Sequence, residues 1–148
     1  MGRREQREQI FRLLFRVEFN TLEEMPEQTD LFLEQIKLPA EDDGLGAKDK
    51  DISYITTKYE QIQEKLPQID NMINEKAEGW SIGRMGKVEV TLLRLGVYEI
   101  LYDQEVPDHV AINEAVELAK KYGQDNSGAF VNAVLAKFLP ADDGEKQG

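Results

Sequence analysis

Arg3, Arg4 and Arg7 stand in the opening stretch RREQREQ, where the pattern predicts the first turns of a helix. Guanidinium groups are planar forks that match phosphate oxygens, and the free N–H groups at a helix N-terminus suit the same ligand. For stability alone the placement is poor. Cations there oppose the positive end of the helix dipole, at roughly a few tenths of a kcal/mol each. Arg3 and Arg7 project on the same side as Ile10 and Leu14 and cannot enter a core, so this end of the helix reaches past the apolar body. Two readings stand side by side: an anion site on an overhanging turn, and a charged terminus that aids solubility.

Other candidate chemistry is weaker. GWSIGRMGKV superficially resembles a phosphate loop, but Ser81 stands where a Walker A sequence needs glycine and Val88 where it needs Ser or Thr. EDDGLGAKDKD is acidic and contains glycine, yet lacks the alternating ligands and terminal Glu of an EF-hand. Glu114 and Glu117 are one helical turn apart, a spacing that 29 acidic residues produce by chance. His109, between Pro107 and AINEAVELA, reads as a loop or cap residue rather than a general base. The chain has no Cys and one His. That removes disulfides, thiolate nucleophiles and His-clustered metal sites, and fits a reducing cytoplasm. No constellation argues for an enzyme, a cofactor or a metal.

The elements that position these residues are helical almost throughout. Ile10, Leu13, Leu14 and Val17 form one stripe. Phe11, Phe15 and Phe19 form a second, fitted either to a neighbouring helix or to an exposed partner or base-stacking surface. Pro26 opens a second helix with Leu31, Leu33 and Ile36 as its apolar candidates. Ile52, Ile55, Tyr59, Ile62 and Leu66 follow the cleanest helical period, which Pro67 is expected to end, starting a short helix over Ile69–Ile73 that Gly79 closes. MGKVEVTLLRLGVYEILY is the most apolar segment and the expected central helix. AINEAVELAKKYG gives another helix. Ser127 is expected to N-cap the last one, which carries Phe130, Val131, Val134, Leu135 and Phe138. The sum is about seven helices in one all-α domain over residues 1–139, with a disordered acidic tail at 140–148. There is no apolar run of transmembrane length and no secretory signal.

The formal net charge of −11 excludes a uniformly basic nucleic-acid binder. It is unevenly distributed: +3 over residues 1–17, −8 over 18–51 and −6 over 52–148. Five of the seven arginines fall in the first sixteen residues.

The series RMGKVEVTLLRLGVYEIL, VPDHVAINEAVELAKKYG and FVNAVL, preceded by RREQREQIFRLLF, resembles the NusB family from near Arg3 to near Phe138. The resemblance implies the all-α NusB fold of two packed helical bundles. It implies a bacterial transcription antitermination factor that binds single-stranded boxA RNA of ribosomal RNA leaders. That binding is shared with the ribosomal protein NusE, and the complex joins other Nus factors on RNA polymerase. By resemblance, Arg3, Arg4 and Arg7 match an arginine-rich RNA-binding motif. Arg94 falls in the LRxxxYE pattern, and Asn126, Ser127 and Phe130 fall in a region also associated with RNA. Phe130 reads equally as a base contact and as a plain core residue. The resemblance favours Phe15, Glu89 and Tyr98 for the NusE surface.

The chain also departs from the family. Glu5 and Glu8 interrupt the basic motif, and Ala133 replaces the usual glycine in FVNxVL. The acidic segment 18–51 repels RNA passing over it, so RNA binding is expected to depend on the protein partner. Two other readings remain. NusB-like domains also precede some ribosomal-RNA cytosine methyltransferases, which need Cys nucleophiles that these 148 residues lack. A helical adaptor, possible as a homodimer, would bind proteins and leave the arginines incidental.

Overall fold

A computed structural model of the chain describes residues 1–140. The expected tail, from 141 onward, lies outside the described residues. Six α-helices follow one another: α1 (Arg3–Phe15), α2 (Met25–Lys37), α3 (Asp49–Lys76), α4 (Lys87–Tyr102), α5 (Asp108–Tyr122) and α6 (Ser127–Ala136). Single 3-10 turns occur at Arg16–Glu18, Ala40–Asp42 and Ile82–Arg84, and no strand occurs among the described residues. No helix among them is long and apolar enough to cross a membrane.

The count is six rather than about seven because Pro67 lies inside α3 instead of ending it. A proline there forfeits one backbone N–H and crowds the preceding turn, at about 3 kcal/mol. Against that cost stands one continuous stripe. Ile55, Tyr59, Ile62 and Leu66 before the proline, and Ile69 and Ile73 after it, are all buried. A break would throw the two halves out of phase. Gly79 lies beyond the helix end at φ +80°, a left-handed conformation that suits glycine.

The chain divides into two compact units, Met1–Gln61 and Ile62 onward. In the first, α1 buries Ile10, Phe11, Leu13 and Leu14. The expected apolar face of α2 needs correction: Met25, Phe32 and Ile36 are buried, Leu33 is half-buried and Leu31 is exposed. Residues 25, 32 and 36 share one face at helical spacing, and Leu31 falls off it.

In the second unit α4 is central, with every residue from Val90 to Leu101 buried. It packs on both α5 and α6. Gly96 permits the close approach of α6, since a Cβ there would lie 2.7 Å from Leu135 Cδ1.

Candidate nucleic-acid interface

In the first unit the arginine turn is tied to the start of α3. Gln6 is buried one turn after Arg3. Arg3 Nη1 donates to Gln6 Oε1 at 3.0 Å, and Gln6 Nε2 donates to Asp51 Oδ1 at 2.9 Å. Asp51 is the third residue of α3, 1% exposed. Its Oδ2 accepts the Lys48 N–H at 3.0 Å, the backward half of a capping box. That N–H bond is the main reason the Asp51 carboxyl is held below its ordinary range; burial pushes the other way, and Gln6 and the Met1 amino group support the lowering. The Arg3 guanidinium lies 4.0 Å over the Tyr54 ring centroid, with Lys58 Nζ 5.7 Å from the same ring. Met1, Gly2, Arg3, Gln6, Lys50 and Tyr54 line a cleft of about 380 Å³. Arg3 and Arg4 are exposed and Arg7 is half-buried. The turn does not simply overhang, as the sequence suggested: Gln6 docks it on the start of α3, and its first guanidinium is held on an aromatic face. Lys50 and Tyr54 were not legible as members of this site, because their neighbours in space come from a different helix.

In the second unit a cleft of about 170 Å³ is lined by Trp80, Met85, Gly86, Glu89, Gln124, Asn126, Ser127 and Phe130. Trp80 is 50% exposed, and its ring meets Phe130 edge-on at 5.6 Å and 70°. Phe130 is half-buried, between the two readings the sequence allowed. The expected N-cap role of Ser127 needs correction. Asn126 occupies the cap position without a side-chain cap bond, and Ser127 is the first helical residue. The Ser127 hydroxyl, 2% exposed, donates to Glu89 Oε2 and accepts the Gln124 N–H at 2.9 Å. Glu89 Oε1 occupies space that a Cβ at Gly86 would fill. The structure thus brings Glu89, expected on a protein-partner surface, into the same cleft as Asn126, Ser127 and Phe130. Trp80 was missed; its one signal was a lone tryptophan in the polar stretch EGWSIG.

Other expected residues are placed differently. Arg94 is 7% exposed. It forms a fork on Asp70, with Nε donating to Oδ1 at 2.9 Å and Nη2 to Oδ2 at 3.0 Å. The interior spends its guanidinium on a carboxylate, leaving it badly placed to meet RNA directly. Tyr98 is buried, 5.8 Å from the Tyr102 ring. It stands nine residues from Glu89 on α4, about half a turn around the helix, so the two side chains face opposite ways. Phe15 is half-buried, between Phe11 at 6.0 Å and the largely exposed Phe19 at 5.1 Å. His109 is exposed in the first turn of α5. Among the described residues no group of three or more His, Asp or Glu is arranged to hold a metal ion.

A sequence profile of the NusB family matches residues 4–140. The chain belongs to the NusB family. Among NusB relatives, the transcription antitermination protein NusB of Agathobacter rectalis is 46% identical over 138 residues, covering 93% of this chain and 99% of that protein. The transcription antitermination protein NusB of Lachnoclostridium phytofermentans is 42% identical over 139 residues, covering 94% and 99%. Among solved structures, NusB of T. maritima matches with a TM-score of 0.75 at 33% identity, covering 93% of this chain and 90% of that one. A chain in a structure described as a plectonemic RNA supercoil also matches, with a TM-score of 0.75 at 26% identity and 92% of each chain covered. The described residues are all helical, without a strand, as the match to the T. maritima NusB fold requires.

Proposed function

We propose that this NusB-family chain acts in transcription antitermination by binding boxA-type single-stranded RNA of ribosomal RNA leaders. It does so jointly with the ribosomal protein NusE, and joins other Nus factors on RNA polymerase in the cytoplasm. Its role is binding rather than catalysis. The observation that carries this reading is Arg3, exposed yet held over Tyr54 beside Lys50 and the Arg4 and Arg7 turn. Guanidinium groups held at an exposed helix end meet phosphates with less ordering cost than free ones.

Arg3, Arg4 and Arg7 take the phosphate backbone in this reading, and Asn126 and Phe130 take a base, with the buried Ser127 holding Glu89 beside them. Arg94 acts indirectly, by fixing α4 through Asp70. The NusE contact centres on Phe15 with the exposed Phe19 beside it, and Glu89 and Tyr98 contribute less than the sequence suggested, given their opposite faces. Residues 1–139 act as one functional domain and 140–148 as an acidic tail. A second reading, a protein-only adaptor or homodimer, draws on the exposed side chains of Phe19, Leu22 and Leu31.

The test is a titration of labelled boxA RNA with and without NusE. Three arginine–phosphate contacts give a log–log salt slope near −2, roughly a twentyfold loss over a fourfold rise in salt. The triple change of Arg3, Arg4 and Arg7 to Ala flattens that slope. If the triple variant binds as well as the parent, the arginine site is wrong. If NusE binds while RNA does not, even at low salt, the adaptor reading replaces it.

A further inference from the structure

We infer that the cleft lined by Trp80 and Phe130 takes one unstacked base, with Trp80 as its stacking face and Glu89 selecting bases that carry an exocyclic amine. The inference rests on the RNA-binding reading above and adds to it a residue, Trp80, and a preference among bases.

Three observations converge. First, Trp80 is half exposed although it is the largest apolar side chain of the molecule, and its ring is braced edge-on by Phe130. An indole held this way offers a flat face at little ordering cost, and base–aromatic stacking does not depend on sequence. Second, the polar wall opposite is a carboxylate rather than a cation. Glu89 is fixed by the buried Ser127 hydroxyl, which itself accepts the Gln124 N–H. Its other oxygen abuts Gly86, where any larger residue would displace it. A carboxylate accepts hydrogen bonds and donates none, so this wall repels phosphate and admits a base edge. Third, the cleft is about 170 Å³, on the scale of a single base.

The selectivity follows from the edges of the bases. Cytosine, adenine and guanine each present an exocyclic N–H₂ donor. Uracil presents one N3–H between two carbonyl oxygens, and both oxygens face the carboxylate unfavourably. Cytosine and uracil have the same ring size, so comparing them isolates the amine.

Trp80 is the only tryptophan of the chain, so its fluorescence reports this cleft alone. The experiment titrates the full chain with 3′-labelled oligocytidylate and oligouridylate RNA, reading label anisotropy for total binding and Trp80 emission for the stack. Binding is expected to quench Trp80, with oligocytidylate bound more tightly than oligouridylate by about tenfold or more, the low end of the worth of one hydrogen bond to a charged acceptor. Trp80→Ala is expected to lose about tenfold or more in affinity. Glu89→Gln, whose amide both donates and accepts, is expected to bring the two RNAs within twofold, roughly 0.4 kcal/mol.

Anisotropy that rises while Trp80 emission stays constant overturns the stacking role and leaves the proposed function standing. Equal affinity for the two RNAs in the parent, or a preference that survives Glu89→Gln, overturns the selectivity. No binding of either RNA, nor of boxA RNA, with NusE present as well as without it, overturns the proposed function and this inference together. Both substituted side chains are at least partly exposed, so circular dichroism and the unfolding midpoint separate loss of the site from loss of fold.

Discussion

Arg94 and Asp70 form a two-pronged ion pair, 2.9 and 3.0 Å, with the arginine side chain 9% exposed and the aspartate 22%. The fork ties α4 to the later part of α3 within the second unit. Asp70→Asn keeps the shape and removes the charge, leaving a buried guanidinium without its carboxylate. The expected cost is about 3 kcal/mol, read as a lowered urea midpoint at unchanged slope. The joint change Asp70→Leu with Arg94→Met is expected to recover most of that loss, since a well-packed apolar pair replaces a buried ion pair at little net cost. A neutral Asp70→Asn would show that the pair does not hold α4.

Tyr54 is a positioning residue for Arg3. Tyr54→Leu removes the ring under the guanidinium, an exposed cation–π contact worth about 0.5–1 kcal/mol. RNA affinity is expected to fall roughly two- to fivefold, while stability changes by less than about 0.5 kcal/mol. Tyr54→Phe keeps the ring and is expected to keep the affinity. Fluorescence anisotropy with labelled boxA RNA measures both, and equal losses in the two variants would assign the effect to the hydroxyl instead.

Asp51 sets an acid-dependent part of the stability. Its carboxyl is lowered from an ordinary value of 3.8, first by the Lys48 N–H. The folded state therefore favours the carboxylate. Its contribution is complete above pH 3.8 and is lost as the pH falls below that value through the folded pKa. Asp51→Asn is expected to lower the urea midpoint at neutral pH and to flatten its decline on the acid side. A parallel decline in both proteins would place the acid sensitivity elsewhere.

Gly96→Ala tests the approach of α6 to α4. Helix propensity alone favours alanine by about 1 kcal/mol. The added Cβ lies 2.7 and 2.8 Å from the two methyl carbons of Leu135, which is fully buried and has nowhere to retreat. Overpacking of this kind costs about 1–3 kcal/mol. The net expectation is a loss of about 1 kcal/mol in thermal or chemical unfolding. A stabilised variant would mean that Leu135 repacks freely.

The sequence by itself determined the class of the fold and most of its helices. Amphipathic period is a local property, and the stripes Ile10–Val17, Ile52–Leu66 and Val88–Ile100 needed no knowledge of their partners, although Val17 falls in the 3-10 turn after α1 and is only half-buried. It also determined the arginine turn, because charge and position are written in the chain. The ordered motifs from Arg84 to Leu135 were enough to place it among NusB proteins. What the sequence misjudged is where local rules meet tertiary packing. Pro67 reads as a stop until the buried stripe on both of its sides is seen to outweigh one lost hydrogen bond. Arg94 carries no local sign of Asp70, twenty-four positions earlier, which holds it. Only the tertiary structure placed Tyr54 beneath Arg3 and Trp80 against Phe130. Those pairs join residues fifty-one and fifty positions apart, and no periodicity within a single helix encodes contacts at that distance.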